Sequence, residues 1–236
     1  MADLDFDLKQ WLELDKSQIF QRFNDFGGTR TIRRGSGDFE FLFIPGTRQD
    51  CVILVAHSDT VWDLDPRFPA TVAYEDGIFF SQTDGLGIGA DDRAGCAILW
   101  SLRNLGHSLL ITSGEEIGCI GSRWIVGNNP DIFNTINNHQ FLVQFDRRGS
   151  SDFKCYDIGT DQFRAYVQEV TGFSEPDRRS RTDIVVLSQR VCGVNLSVGY
   201  YHEHTPSEKL VFQEWSNTLK TAYQWLSGKD LPQFIR

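Results

Sequence analysis

The chain has 236 residues, of which 40% are hydrophobic and 23% charged, a composition of a globular protein rather than a disordered one. Its formal net charge of −9 argues against a general nucleic-acid binder, because phosphate affinity needs clustered lysine and arginine. No apolar run approaches the ~20 residues of a membrane-spanning helix, and the acidic N-terminus is unlike a basic leader peptide, so we expect a cytoplasmic protein without a membrane partner.

The cysteines are scattered and contain no Cys-x-x-Cys pair, which argues against a structural zinc knuckle or a thioredoxin-type redox site. Most lie in or beside apolar segments, so we expect buried free thiols. Cys119 lies close enough to a pair of glutamates for a role in a site to be conceivable, but packing is the favoured interpretation. The five residues are Cys51, Cys96, Cys119, Cys155 and Cys192.

The first third of the chain predicts one amphipathic helix followed by strands. Apolar residues recur at helical spacing until Gly27-Gly28, where the helix should end. A continuous apolar run then indicates a strand that is buried on both faces of a mostly parallel sheet. The predicted elements are a helix over 5–26, strands over 29–34, 39–44 and 51–56, and a hairpin over 71–81 that turns at Glu75-Asp76-Gly77.

The rest of the chain alternates predicted helices with buried strands. The helices cover 94–102, 121–133, 162–170 and 206–226, and the strands cover 108–112, 139–145 and 193–198. This alternation predicts an α/β three-layer sandwich, with a mixed, mostly parallel sheet between two helical layers. Because no repeat, linker or low-complexity tract interrupts it, residues 1–236 are expected to form a single domain.

A glycine-rich stretch carries the first candidate metal-binding carboxylates. It runs from Gly85 to Gly95 and presents Asp91 and Asp92 immediately before an apolar helical run. Glycines allow a tight turn there, and a carboxylate held on such a turn is well placed to reach a metal ion.

Other ionisable residues directly follow strand-like apolar runs. In open α/β sheets, ligand sites lie beyond the carboxyl ends of the strands, so these side chains should meet at one edge. Each alone has an ordinary explanation, such as a cap, a turn or a solvated surface, but together they place more charge there than is tolerable without a cation. They are His57, Asp59, Glu115, Glu116, Asp146, His202 and His204.

The types of these residues indicate the metal. A set of His, Asp and Glu without Cys suits zinc, cobalt or manganese better than calcium, which prefers oxygen ligands alone. A set of this size can supply five ligands, which is more than one tetrahedral zinc with an open position can use. The set fits two ions that share one carboxylate.

Five motifs follow one another between roughly residues 51 and 208. They are His57-Ser-Asp59, Gly89-Ala-Asp91-Asp92-Arg93-Ala-Gly95, Ser113-Gly-Glu115-Glu116, Phe145-Asp146-Arg147-Arg148-Gly149 and His204-Thr-Pro-Ser-Glu208. In this order they resemble the signature of the clan of di-zinc aminopeptidases and carboxypeptidases, which includes peptidase T, the glutamate-releasing carboxypeptidases, the tetrahedral aminopeptidases and the bacterial leucyl aminopeptidases.

The resemblance implies a role for each matching residue. Asp91 would bridge two metal ions, most simply zinc, with His57 and Asp146 on one ion and Glu116 and His204 on the other. Asp59 would hydrogen-bond a ligand imidazole.

The resemblance also makes Glu115 the general base, which activates a metal-bridging water. The implied activity is hydrolysis of peptide or amide bonds in short peptides by an exopeptidase, with aminopeptidase activity preferred. Carboxypeptidase activity and amidohydrolase activity on N-acyl amino acids remain alternatives. A non-catalytic metal- or peptide-binding relative is a further alternative, against which the retained Glu115 argues, and a plain globular domain would bind no transition metal tightly.

Several assignments stay open at this point. Asp92 competes with Asp91 for the bridging role, and His202 competes with His204. Asp183 is expected to cap a helix, although it could face the substrate. Arg147 and Arg148 could grip a substrate carboxylate or merely pair with the surrounding acids.

The larger relatives carry an inserted lid or dimerisation domain that this chain has no room for. The intervals from His57 to Asp91 and from Asp146 to His204 are each too short to hold a domain of ordinary size. We therefore expect a catalytic domain without a lid. A residue that the lid supplies in relatives would be missing or come from a partner chain, and the oligomeric state stays open.

Overall fold

Eleven strands are found in the computed structural model, which describes residues 4–176 and 182–236. In chain order they are β1 (Ile32–Arg34), β2 (Phe41–Ile44), β3 (Ile53–His57), β4 (Val72–Glu75), β5 (Ile78–Ser81), β6 (Ser108–Thr112), β7 (Leu142–Arg147), β8 (Phe153–Lys154), β9 (Gly193–Ser197), β10 (Tyr200–Tyr201) and β11 (Lys209–Val211).

Seven of these strands form the central sheet, in the order β1-β2-β6-β3-β7-β9-β8. The four middle strands β6, β3, β7 and β9 run parallel, whereas the pairs β1/β2, β2/β6 and β9/β8 are antiparallel. The carboxyl ends of the parallel strands therefore meet at one edge.

Helices cover both faces of this sheet, which confirms the predicted three-layer α/β architecture. Alternate residues of β3 point to opposite layers: Leu54 packs with one cluster of buried side chains and Val55 with the other. The helices are α1 (Leu4–Leu12), α2 (Lys16–Gly27), α3 (Ala90–Leu102), α4 (Ile120–Asn128), α5 (Pro130–Ile136), α6 (Asp161–Thr171), α7 (Asp183–Leu187) and α8 (Phe212–Leu226).

The larger hydrophobic cluster joins α1, α2, α3, α6 and α8 to one face of the sheet. The smaller one joins α4, α5 and α7 to the other face. No helix in the described ranges is both long enough and apolar enough to span a membrane. All five cysteines are free and buried, as predicted.

Two predicted helices are each divided into two. The N-terminal helix breaks before Asp15, whose carboxylate accepts a hydrogen bond from the Gln18 amide while the Gln18 side chain accepts one from the Asp15 amide. This capping box starts α2. The helix predicted over 121–133 is interrupted at Asn129, and Pro130 begins α5, where its missing N–H costs nothing.

The predicted start of the last helix is wrong. Residues 209–211 form strand β11, in which Leu210 pairs with Phe79 of β5, and α8 begins only at Phe212. β11 belongs to a second, four-stranded sheet of order β10-β11-β5-β4. This sheet contains the predicted hairpin, whose strands β4 and β5 pair across Asp76-Gly77. A single domain without an inserted lid stays a prediction.

Candidate metal centre

The five predicted metal ligands come together at the carboxyl edge of the central sheet. His57 is the last residue of β3 and Asp146 lies near the end of β7. Glu116 follows the end of β6, Asp91 begins α3, and His204 lies between β10 and β11. Residues remote in sequence are therefore neighbours because three parallel strands end side by side.

Asp91 occupies the middle of this cluster. Its Oδ1 lies 3.1 Å from Nε2 of His57, and its Oδ2 lies 3.2 Å from Nε2 of His204. On the His57 side, the same Nε2 is 3.6 Å from Oδ1 of Asp146. On the His204 side, Nε2 is 3.0 Å from Oε2 of Glu116. The two carboxylate oxygens thus face two separate sets of nitrogen and oxygen atoms.

These spacings suit metal coordination. Two ligands at the usual zinc distances in a tetrahedral shell lie about 3.4 Å apart, and the contacts around Asp91 run from 3.0 to 3.6 Å. His57, Asp91 and Glu116 also offer ligand atoms that all lie within 4.8 Å of one another. The donor set of imidazole and carboxylate fits zinc, cobalt or manganese.

The buried negative charge of the cluster also favours a bound cation. Burial raises the pKa of Glu116, and burial together with the charge of Asp91 raises that of Asp146. Oε1 of Glu116 is buried without a hydrogen-bond partner among the described residues. An orphaned carboxylate oxygen of this kind is costly in a protein interior unless a cation or another partner reaches it.

The loop that carries Asp91 is fastened by Glu208. This buried carboxylate accepts hydrogen bonds from the amides of Gly89, at 2.7 Å, and of Asp91, at 3.2 Å. Gly89 has a φ of 64°, the left-handed region that glycine tolerates best, and the Asp91–Asp92 peptide bond is cis. The sequence offered Glu208 only as the end of a motif, and its contacts with the loop explain why the motif extends that far.

The carboxylate of Asp92 accepts hydrogen bonds from two backbone amides. Its Oδ2 accepts from the amide of His57 and its Oδ1 from the amide of Gly95, both at 3.1 Å. Although Asp92 lies within 4.8 Å of His57 and Asp146, its carboxylate ties the glycine-rich loop to β3. These contacts favour Asp91 over Asp92 as the bridging residue.

Asp59 links the two halves of the cluster. Its carbonyl oxygen lies 3.0 Å from Nδ1 of His57, and its carboxylate accepts from the amides of Glu115, at 3.2 Å, and Glu116, at 3.1 Å. A proton on Nδ1 that is donated to this carbonyl leaves Nε2 free to bind a metal. The carboxylate itself is 3.5 Å from Nδ1, so the backbone makes the closer contact with the imidazole.

Glu115 stands beside the cluster, and within the described residues no hydrogen bond of its side chain reaches the five predicted ligands. Its Oε1 lies 3.7 Å from Sγ of the buried Cys119, which places that thiol next to the predicted base. Burial raises the pKa of Glu115 to about 9. Nearby cations would lower this pKa, because they favour the ionised carboxylate.

Several residues that sequence reasoning missed hold Asp146 in place. Its Oδ2 accepts from Oγ1 of Thr182, at 2.6 Å, and from Nε2 of Gln144, at 3.0 Å, and its Oδ1 accepts from the Tyr200 hydroxyl at 3.2 Å. The Asn195 side chain bonds both the amide and the carbonyl of Asp146, where the register of β7 and β9 shifts. The sequence signals are polar residues within mostly apolar strands, Gln144 in β7 and Asn195 in β9.

Contacts also bear on the remaining open assignments. Arg147 pairs with Asp152 at 2.6 Å and Arg148 with Glu203 at 2.9 Å, so both arginines are paired with acids. His202 is exposed, and it is His204 whose Nε2 lies close to Asp91 and Glu116.

The expectation that Asp183 caps a helix is wrong. Thr182 holds the N-cap position of α7, and Asp183 is the first residue of that helix. Its fully buried carboxylate accepts hydrogen bonds from Thr112 and Ser122, which excludes a substrate-facing position. Asp183 therefore ties the start of α7 to the end of β6 and to α4.

The fold is shared with solved peptidase structures. The aminopeptidase PepT of Bacillus cereus superposes with a TM-score of 0.67 at 15% identity, covering 96% of this chain and 98% of that one. A tripeptidase of Staphylococcus aureus gives 0.69 at 13% identity, with 96% and 97% covered. An aminopeptidase of the archaeon Desulfurococcus kamchatkensis gives 0.66 at 11% identity, with 95% and 94% covered.

No family model and no curated protein matches the sequence. At such low identity the structural likeness establishes the fold alone. The chain therefore has the α/β fold that the motifs implied, with its ionisable residues gathered at the edge where such folds bind ligands.

Proposed function

We propose that this protein is a two-metal hydrolase that cleaves peptide bonds of short peptides, acting as an exopeptidase. The observation that carries the proposal is the position of Asp91, whose two oxygens each face a histidine that itself lies close to a further carboxylate. The likeness of the fold to solved aminopeptidases and a tripeptidase supports the same activity.

In this proposal the metal ligands divide into two sets around Asp91. His57 and Asp146 would hold one ion, and Glu116 and His204 would hold the other, with Asp91 shared. Two divalent ions, most simply zinc, would polarise the scissile carbonyl and lower the pKa of a water molecule. Asp59 connects the two sets of ligands, since it contacts the His57 ring of one set and the amide of Glu116 of the other.

Glu115 is the proposed general base. It is adjacent to a ligand in sequence, yet its contact is with Cys119, so its carboxylate is free of the ligand network. It would take the proton of the attacking water and pass it to the leaving amine. The buried, low-dielectric setting strengthens its interaction with charge that develops on the substrate.

The charges around the centre favour an aminopeptidase. A carboxypeptidase needs a basic anchor for the substrate carboxylate, but Arg147 and Arg148 are both paired with acids. An N-acyl amidohydrolase has the same need. An aminopeptidase instead needs acidic groups near the substrate ammonium, and the carboxyl edge is rich in them.

The substitution Glu115→Gln tests this proposal. We expect it to lower kcat on short peptides by roughly 10²- to 10⁴-fold, the usual contribution of a general base, while metal content stays that of the wild type. Glu169→Gln, at an exposed position of α6, serves as the control and should leave kcat unchanged. Aminoacyl and N-acyl-amino-acid substrates are assayed side by side after addition of zinc, cobalt or manganese.

The outcomes separate the competing functions. Turnover of aminoacyl substrates alone supports the aminopeptidase, whereas turnover of N-acyl substrates alone identifies the carboxypeptidase or amidohydrolase alternative. Tight metal binding without turnover of either substrate would contradict the hydrolase and leave the non-catalytic binding protein.

A further inference from the structure

A groove of about 630 Å³ opens beside the metal centre and shares two of its residues, Asp59 and Glu116. Its volume falls within the range of pockets that bind small ligands. The groove lies between the start of α2, Asp38, the segment that follows β3, and the residue after Glu116.

One wall of this groove is apolar and exposed to water. Leu64 is 97% exposed, Ile117 60% and Val61 40%. These three belong to the small set of large hydrophobic side chains that the described chain exposes, and they line a single pocket. Isolated exposed apolar residues are ordinary, but a group of them around one concavity is typical of a binding surface.

The remainder of the groove is acidic. Asp15, Asp38 and Asp63 line it together with the two acids of the metal centre, and Lys16 is the one basic residue among the lining side chains of the described chain. Lys16 is itself paired with Asp38 at 3.2 Å, and Asp63 is paired with Arg93 at 3.3 Å, so the acids of the groove still outnumber the lysine and arginine that pair with them. Such a groove attracts a positive charge and repels a carboxylate.

We infer that this groove is the subsite for the amino-terminal residue of the substrate, selecting a large apolar side chain on a chain with a free ammonium group. The apolar wall of Val61, Leu64 and Ile117 receives the side chain, and the acids attract the ammonium. Since Glu116 belongs to both the groove and the metal centre, a residue bound there adjoins the scissile bond. This inference rests on the proposed peptidase function.

Two substitutions in the wall and a matched control test the inference. Ile117→Ser and Leu64→Ser each remove an apolar contact, and the near-complete exposure of Leu64 makes its replacement harmless to folding. Ile235→Ser is the control, because Ile235 is 59% exposed and pairs with Val191 just before β9, at the opposite edge of the sheet.

The first measurement is kcat/KM for the tripeptides Leu-Ala-Ala and Ala-Ala-Ala. We expect the wild type to prefer the leucyl peptide, and each wall substitution to reduce this preference by about 10-fold, within the range that apolar pockets discriminate. Ile235→Ser should leave the preference unchanged. Equal losses on both peptides, or no loss, would overturn the inference while leaving the peptidase intact.

The second measurement does not depend on turnover. Fluorescence anisotropy follows a C-terminally labelled Leu-Ala-Ala analogue with a reduced first peptide bond, in free and N-acetylated forms. We expect the free form to bind at least 10-fold more tightly and the wall substitutions to weaken it. This result would support the subsite even if no hydrolysis were found. Binding therefore tests the subsite, and turnover tests the proposed peptidase activity.

A second copy of the chain is the competing occupant of the groove. Sedimentation velocity of the wild type and of Leu64→Ser distinguishes it. A shift from dimer to monomer in Leu64→Ser, with peptide preference unchanged, would identify the groove as an interface between copies and overturn the inference. A monomer in both cases, with reduced preference in the variant, supports the subsite.

Discussion

Two buried histidines at opposite edges of the central sheet show how different the two edges are. His107 precedes β6 at the amino edge, and both of its ring nitrogens contact backbone groups: Nδ1 accepts from the Val52 amide at 3.3 Å, and Nε2 lies 2.8 Å from the Leu226 carbonyl. Burial lowers the pKa of His107 to about 4. The neutral ring is thus satisfied by the protein alone.

His57 ends β3 at the carboxyl edge and is buried equally well, but it faces carboxylates. Although burial by itself lowers its pKa, hydrogen bonds with Asp146, Asp59 and Asp91 raise the pKa well above the ordinary value. One imidazole cannot balance three acids. The amino edge is therefore complete as it stands, whereas the carboxyl edge has the excess of negative charge that cations neutralise.

Replacing the shared carboxylate should give the largest effect. We expect Asp91→Ala to lose most of both metal ions and to weaken zinc binding by more than the roughly 100-fold that loss of a supporting partner costs, because both sets of ligands include this residue. Metal analysis and peptide turnover measure the change. Asp131→Ala, at an exposed ion pair with Arg34, is the control. Retention of both ions by Asp91→Ala would show that the ligands were misassigned.

The amino edge predicts a pH effect on stability. The folded protein binds a proton at His107 only near pH 4, whereas the unfolded chain binds it near pH 6.5, so stability falls as the pH is lowered between these values. The full loss is about 3 kcal/mol. Urea unfolding of wild type and His107→Gln from pH 7 to pH 4 measures it. Equal pH slopes in both proteins would contradict the interpretation of His107.

Thr182 tests how the carboxyl edge is supported. We expect Thr182→Val to weaken binding of one zinc ion by roughly 10- to 100-fold, as loss of a partner to a ligand does, because Thr182 donates to Asp146 alone among the proposed ligands. Thr182→Ser keeps the hydroxyl and serves as the control. Calorimetric zinc titration resolves the two binding steps. Equal weakening of both steps would argue against separate sets of ligands.

The smallest effect is expected at Arg148. Its side chain is 57% exposed and pairs with Glu203, and ion pairs at such positions contribute at most about 1 kcal/mol. Arg148→Ala should therefore change kcat/KM on free peptides by less than about threefold. A large loss confined to substrates with a free carboxylate would instead identify Arg148 as a carboxylate anchor and revive the carboxypeptidase alternative.

The sequence predicted those parts of the molecule in which local pattern and tertiary role coincide. The apolar run before His57 forms a buried strand because both of its faces are covered, and the polar residue that follows must then lie at the carboxyl edge. In contrast, Leu210 fits a helical repeat, yet it forms a strand because β5 offers an unpaired edge. That choice depends on a distant partner that no local window contains.

The supporting residues of the site were hidden for the same reason. Thr182 and Asn195 reach Asp146 through contacts that exist only once α7 and β9 are in place, whereas Gln144 reaches it from two residues away along β7. The ligand types themselves could be predicted, since imidazoles and carboxylates at strand ends are unusual enough to attract attention. The groove could not be predicted, because its walls come from four separate segments.

The most direct test of this account is the zinc content of the protein, purified without chelator and then titrated with zinc after stripping. We predict close to two equivalents per chain, bound in two steps that Asp91→Ala abolishes together. One equivalent that survives in Asp91→Ala, or no tightly bound zinc at all, would contradict a shared centre at the carboxyl edge.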